Sequence, residues 1–346
     1  MGLTADINLS DSTIEISETP ADLLRKYLGS RGYAARILYD RVGPEVEPFS
    51  GDNLLIFSTG LFTGTHWPTG ARLTVTAKSP LTGSYGYSNT GGFFGAELRK
   101  AGFDALIVRG ESPGPVYLLI EDDRIRIEDA GEYWGKTTDL VTDSLREKHP
   151  QSRVATIGPA GENLVRVAAI INDGGRAAGR CGMGAVMGSK KLKAVVVTAS
   201  GTVTYPDLFK QVAIRMAKKV ATNPASLLYR KFGTSILVEF KNPRGDLPGK
   251  NHQEVQFPAV EKINARALDK YVYKNSGCYS CPIRCARNSR VESGPYQCET
   301  EGPEYETIDS FGPMVWNDDM ELIIYANKLC NNFGIDTIST GVKKFR

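Results

Sequence analysis

The 346-residue sequence has no long apolar run. Nothing approaches the ~20 consecutive apolar residues that a membrane-spanning helix requires. Its start, Met1-Gly-Leu-Thr-Ala-Asp6, lacks a basic segment followed by an apolar one, so no secretory signal is expected. Asp6 also spoils a myristoylation motif. Neither sign of charge dominates: 42 Lys and Arg stand against 39 Asp and Glu. The net charge of +3, with the cations spread along the chain, forms no stripe for nucleic acid. Internal repeats and low-complexity tracts are absent. Cysteine is sparse, six in all, and three of the six stand within eight residues. In a chain with no export signal that clustering reads as metal binding rather than disulfides, and it predicts a cytoplasmic protein.

What remains is an ordinary globular composition, 41% hydrophobic and 23% charged, long enough for two domains. Glycine divides the chain: 26 of its 36 glycines fall in residues 1–200. That part reads as strands, turns and a few helices. A hairpin is expected over Ala5–Glu18, turning at Ser10-Asp11-Ser12. A helix is expected over Pro20–Val42, with Thr19 as N-cap and Pro20 at its first position. Strands are expected at Asn53–Ser58, Arg72–Ala77, Ala105–Arg109, Val116–Ile120 and Ala194–Thr198, and short helices at Gly91–Ala101 and Thr137–Lys148. Beyond the boundary placed at residue 203, Pro206–Thr222, Pro224–Phe232, Asn264–Tyr273 and Asp318–Asn332 read as helices. The expected division is 1–203, α+β, and 204–346, mostly helical and carrying the clustered cysteines.

Five segments carry chemistry. Thr69–Gly83 with Gly86–Gly92 is a glycine-rich stretch whose backbone N–H groups can approach an anion where a helix begins; the alternative is a cluster of β-turns. Asp173–Gly188 is a second such stretch. If it is helical, Arg176 and Arg180 share one face and clamp phosphate; otherwise they are solvated arginines on a turn. Two such loops suggest one large polyanionic ligand. Neither is a Walker loop, because Arg180 stands where that motif needs Lys. Cys278, Cys281 and Cys285 form C-x2-C-x3-C with Pro282 after the middle cysteine, a spacing suited to an iron–sulfur cluster; a structural zinc site, which usually needs a second Cys pair, is the alternative. Cys181, Cys298 and Cys330 each stand alone as conceivable fourth ligands. Glu299-Thr-Glu-Gly-Pro-Glu-Tyr-Glu306 sets four carboxylates around a Gly-Pro turn, a source of an acid–base group or simply a solvated acidic loop. Asn331-Asn-Phe-Gly-Ile-Asp-Thr-Ile-Ser339 reads as a helix end at Gly334, with Asp336 and Ser339 free to cap a following helix.

Taken in this order, the segments resemble the tungsten-dependent aldehyde:ferredoxin oxidoreductases over nearly the whole chain. The matches are Arg72 with Ser79–Gly83, Ser88–Gly92, Arg176–Arg180 with Gly184–Ser189, the cysteine loop, Gly302–Glu306 and Gly334–Ser339. The resemblance implies an N-terminal α+β domain whose two β-sheets form a base for two pterins holding one tungsten, with molybdenum as the alternative metal. A helical region covers the cofactor, and a [4Fe-4S] cluster passes electrons to ferredoxin. It also implies a small aldehyde substrate, admits Mg2+ bridging the pterin phosphates, and leaves room for a homo-oligomer. Neither nucleic acid nor membrane is an expected partner. By position, Arg72 looks like the arginine between pterin and cluster. Asn89, Gly91, Arg176, Ala177, Gly179, Arg180, Ile335 and Asp336 look like pterin and phosphate contacts, and Cys278, Cys281 and Cys285 like three cluster ligands. Glu304 or Glu306 looks like the acidic residue near the metal. Asn331 departs from the family motif, which opens with Asp. The resemblance further suggests a fragment or truncated product, with the fourth cluster cysteine and a third domain lying past residue 346. Other readings of the sequence are a relative acting on another substrate, such as an aromatic acyl-CoA, a non-catalytic cofactor-binding paralogue, and a zinc-stabilised binding module.

Overall fold

The computed structural model describes residues 2–343. Two six-stranded mixed sheets build the first part. The first holds β1 (Leu3–Asn8), β2 (Thr13–Glu18), β3 (Leu55–Thr59), β4 (Leu73–Lys78), β5 (Tyr85–Thr90) and β6 (Phe103–Arg109), in the order β2-β1-β6-β3-β4-β5. The second holds β7 (Val116–Glu121), β8 (Arg124–Asp129), β9 (Arg153–Thr156), β10 (Ile170–Asn172), β11 (Arg176–Ala178) and β12 (Leu192–Thr198), in the order β11-β10-β9-β12-β7-β8. Each sheet has one parallel pair, β1 with β6 and β7 with β12.

The strand period of two explains the layering. Leu55 and Phe57 of β3 face the space between the sheets and meet Leu118, Ile120, Val195 and Val197 of the second sheet in one core. Ile56, pointing the other way, packs with Tyr33, Ala34, Ile37 and Leu38 of the helix Ser30–Arg41. On the second sheet, Ala194 and Val196 pack outward on Val141 and Leu145 of the helix Thr138–Lys148. The helices Phe94–Lys100 and Met183–Ser189 contribute Phe94, Leu98, Met183, Val186 and Met187 to the central core. The base is therefore α+β, as expected.

Several expectations change. Pro20–Val42 is two helices, Ala21–Tyr27 and Ser30–Arg41. The break falls at Leu28 and Gly29, both at positive φ, because Gly29 bridges to Gly60 and a Cβ there would lie 3.2 Å from the Thr59 carbonyl oxygen. Thr19 does not cap the first helix; its hydroxyl bonds that of Thr4 at 2.9 Å. The helix expected at Gly91 starts at Phe94. Arg176 and Arg180 do not share a helix, since Arg176 opens β11 and Arg180 opens a 3-10 turn. Asn264–Tyr273 shortens to Ala265–Asp269, capped by the Asn264 side chain, and the chain then enters a strand.

That strand belongs to a three-stranded antiparallel sheet in the part expected to be mostly helical: β13 (Val272–Ser276), β14 (Ala286–Val291) and β15 (Cys298–Glu301). Around it pack Val238, Leu247, Phe257, Ile263, Ile308, Ile323 and Ile324. The helices Asp207–Thr222, Pro224–Phe232, Tyr305–Phe311, Met320–Phe333 and Thr337–Lys343 complete the region. No helix among the described residues is long and apolar enough to cross a membrane.

Candidate cofactor and metal site

One cleft of ≈ 640 Å³ opens between the sheeted base and the region after residue 203. Every site residue expected from the sequence except Cys281 lines it. The base wall comes from β5 and β11. In β5, Gly86, Ser88 and Thr90 turn inward while Tyr87 and Asn89 face out into the open. Ser88 fixes the neighbouring loop by accepting the Arg180 backbone N–H at 3.0 Å. The Asn89 side chain donates to the Thr74 hydroxyl across the β4–β5 pair. Asp173 ties the two glycine-rich stretches together, its Oδ2 accepting the backbone N–H groups of Phe93 and Phe94 at 2.6 and 3.0 Å.

Gly91 shows why a glycine is needed here. A Cβ at this position would lie 2.7 Å from Cys278 Sγ and 4.0 Å from Arg72 Nη1. Backbone, thiol and guanidinium thus converge on one point of the cleft. Tyr279 donates its backbone N–H to the Gly92 carbonyl at 3.0 Å, which pins the cysteine loop to the base. From the other side, buried Arg287 donates to the Arg230, Lys231 and Arg284 carbonyls, and Arg230 donates to the Pro282 carbonyl at 2.9 Å. Cys278 and Cys285 face the cleft, and Cys281 does not. Of the lone cysteines, Cys181 lines the cleft, whereas Cys298 and Cys330 do not.

The thiols are not self-sufficient anions. Burial, and then Glu304, push the Cys285 thiol up to about 11 against the pull of Arg176, so a bound cation has to supply the charge that makes it a ligand. Among the described residues no three His, Cys, Asp or Glu side chains close on a point as a single metal ion demands. Ligands of a multi-iron cluster stand farther apart than those of one ion, and three thiols with no histidine in the cleft suit such a cluster. Residues 270–291 also contain five Lys and Arg and no Asp or Glu, which favours a centre of net negative charge.

The far wall brings acids. Arg176 Nε lies 2.6 Å from Glu301 Oε1, with both side chains largely buried. Burial pushes the Glu301 carboxyl above the usual carboxylate range, and Arg176 beside it pulls part of the way back. Glu301 was not singled out from the sequence, and only its place in the acidic run hinted at it. Glu304 precedes the helix Tyr305–Phe311 and is bonded to the Thr234 hydroxyl. Glu306, in the first turn, is exposed to the cleft, and its carboxylate makes no hydrogen bond or ion pair among the described residues, while its backbone carbonyl accepts the Ser310 hydroxyl at 2.7 Å. Asp336 accepts from Arg180 Nη1 at 2.7 Å and caps the helix Thr337–Lys343 through the Ser339 backbone N–H. Asn331 is buried at the cleft edge, its carbonyl accepting from the Thr138 hydroxyl. Tyr87, Thr90 and Thr337, inside the motif stretches but not expected as contacts, also line the cleft, as does Asn327, which lies outside every motif.

The sequence model of the aldehyde ferredoxin oxidoreductase N-terminal domain matches residues 4–199, and that of aldehyde ferredoxin oxidoreductase domains 2 and 3 matches residues 211–343. The chain belongs to the aldehyde ferredoxin oxidoreductase family. It is 45% identical over 341 residues to the tungsten-containing aldehyde ferredoxin oxidoreductase of Pyrococcus furiosus, covering 97% of this chain and 56% of that protein. The Thermococcus kodakarensis protein of the same name is 43% identical with the same coverage. The aliphatic sulfonate oxidoreductase WOR-like subunit of Pyrococcus furiosus is 31% identical over 363 residues, covering 98% of this chain and 57% of that protein. Among solved structures, the active-site complex BamBC of benzoyl coenzyme A reductase with 1,5-dienoyl-CoA superposes with a TM-score of 0.82 at 30% identity, covering 97% of this chain and 53% of that one. The chain therefore spans about half the length of the family members it matches.

Proposed function

We propose that this chain forms the cofactor-holding part of an aldehyde:ferredoxin oxidoreductase, which oxidises an aldehyde with water to a carboxylic acid. The observation that carries the reading is the meeting of Arg72, Gly91 and the Cys278 thiol at the mouth of one cleft. Asn89, Gly91, Arg176, Ala177, Gly179, Arg180, Ile335 and Asp336 would hold two pterins and their phosphates, with Mg2+ between the phosphates. Cys278, Cys281 and Cys285 would hold a [4Fe-4S] cluster, with Arg72 between the two. When bound, the tungsten bis-pterin would supply two-electron redox chemistry at the substrate and the cluster one-electron transfer toward ferredoxin.

The chain's own residues bind, orient and move protons. The Glu306 carboxylate, unbonded and open to the cleft, takes the proton released as the aldehyde is converted. Glu304, held by Thr234, keeps the first turn of its helix in place and thereby aims Glu306. The Arg176–Glu301 pair places the phosphate-binding strand against the far wall. The acid-free stretch 270–291 favours an acidic carrier such as ferredoxin at the cysteine loop. The three clustered thiols suit the reducing cytoplasm. The division at residue 203 separates the base from the region that bears the loop.

Metal analysis and low-temperature paramagnetic resonance of the purified full-length holoenzyme test the cofactors, and aldehyde-dependent dye reduction tests the reaction. Protein free of tungsten and iron, or inert toward aldehydes, would sink the proposal. The similarity to the benzoyl coenzyme A reductase complex supports a second reading, reduction of an aromatic acyl-CoA. Activity with aromatic acyl-CoA thioesters and none with aldehydes would select it.

A further inference from the structure

Asp309 lies on the helix Tyr305–Phe311, three residues after Glu306. An i,i+3 pair shares one helix face with Cβ atoms ~5–6 Å apart, a gap one water spans. Glu306 is open to the cleft, but Asp309 behind it is only 8% exposed. Its Oδ1 is buried with no hydrogen-bond partner among the described residues. Beyond it stand Lys241 and Asp246: Lys241 Nζ is 2.8 Å from Asp246 Oδ2 and 5.5 Å from the centre of the Tyr305 ring. The Asp246 side chain is 68% exposed. One helix thus joins a carboxyl in the cleft, a buried carboxyl behind it and a charged pair at the outer surface.

Other charged groups nearby are engaged elsewhere. Glu239, on the helix Ile236–Lys241, turns to Arg266. On Met320–Phe333, Glu321 accepts from the Tyr271 hydroxyl, Lys328 pairs with Asp139, and Cys330 neighbours Asp336. The helix Thr337–Lys343 carries no titratable side chain before Lys343. Among the described residues Asp309 is left with Glu306, Tyr305, Lys241 and Asp246.

A buried carboxyl without a partner is a poor structural residue, because it costs stability whenever it ionises. Burial first, and then the charge of Glu306, push the Asp309 carboxyl up to about 7, with Lys241 pulling it back. A group poised near neutral pH accepts and releases a proton at comparable cost.

We propose that Asp309 is the second carboxyl of a proton exit, taking the proton that Glu306 collects in the cleft and passing it to water beside Lys241 and Asp246. The proposal rests on the aldehyde-oxidation reading. An aldehyde and one water give a carboxylic acid, two electrons and two protons; the electrons reduce two ferredoxins and the protons leave one at a time. Each passes from the Glu306 carboxyl to the Asp309 carboxylate, then from the Asp309 carboxyl to water, and both groups return to their starting state.

The first test needs no cofactor. Carboxyl-carbon NMR titration of this chain should show Asp309 titrating near neutral pH, with Glu306→Gln moving its midpoint down and Lys241→Met moving it up. A midpoint that ignores both substitutions overturns the relay. The second test uses the full-length holoenzyme with an aldehyde and excess ferredoxin. Asp309→Asn should slow steady turnover at least about tenfold, enlarge the solvent deuterium isotope effect and keep the first-turnover reduction. Turnover and isotope effect equal to wild type overturn it. Should Asp309→Asn fail to fold, Lys241→Met keeps the buried carboxyl, and the relay requires its turnover–pH profile to move to higher pH; an unmoved profile overturns it. A wild-type holoenzyme inert toward aldehydes would instead overturn the parent reading, a failure recognisable because the NMR coupling is measured without cofactor.

Discussion

The base and the region after residue 203 hold themselves together in different ways. In the base, Phe57, Phe94 and Phe103 are fully buried, and successive residues of one strand serve two separate cores. In the later region the 16-residue helix Asp207–Thr222 buries only Ala213, while Leu208 and Ile214 stay 70% and 60% exposed. Its cysteine loop is fastened by side-chain hydrogen bonds to carbonyls, from Arg230 and Arg287, more than by apolar packing. One part is a scaffold that packing alone sustains. The other has an apolar core of its own, around Ile308, Ile323 and Ile324, and adds to it a cysteine loop held by polar contacts.

The sharpest way to break this contrast is Cys278→Ser. Iron bound at the loop should be lost outright, by metal analysis, while the melting transition of the base stays in place. In the cofactor-free chain, a base that unfolds along with the loop would refute the separation. Next, Glu306→Gln should lower aldehyde turnover of the full-length holoenzyme by about 10²-fold or more, and Glu304→Gln by less, because it acts through helix placement. Equal losses would erase the distinction between the two carboxylates. For stability, Phe57→Ala should cost about 3–5 kcal/mol in denaturant unfolding, against roughly 0.5 kcal/mol or less for Ile214→Ala. Comparable costs would mean that the exposed helix is packed in solution. The mildest effect concerns pH. Asp309 has a folded value of about 7 against an ordinary 3.8. Its contribution to stability is therefore present below about 4 and lost as pH rises through about 7. Asp309→Asn should flatten that slope in thermal melts across the same window.

How much was legible follows the same divide. The glycine-rich stretches, the cysteine loop and the Gly334–Ser339 corner announce themselves, because each is a local pattern tied to backbone geometry or ligand spacing. The strands β10 and β11 were not legible. Three residues each, they exist through long-range pairing, which is why Arg176 and Arg180 read as a helical clamp rather than as a strand and a turn. Glu301 was hidden for a similar reason. In the sequence it is one acid among four, and only the fold sets it against Arg176. Gly29 shows the reverse error: apolar spacing continued through it, and its contact with Gly60 ended the helix.

The cleft draws one wall from β5 and β11 and the other from the segments 301–307 and 331–338. Any molecule that fills it therefore cross-links two separately cored bodies. Its binding free energy is added to their docking free energy, so occupancy is a form of tertiary structure here. An empty chain should melt in two steps and a filled one in a single cooperative step, which makes the number of melting transitions a direct count of whether the site is loaded.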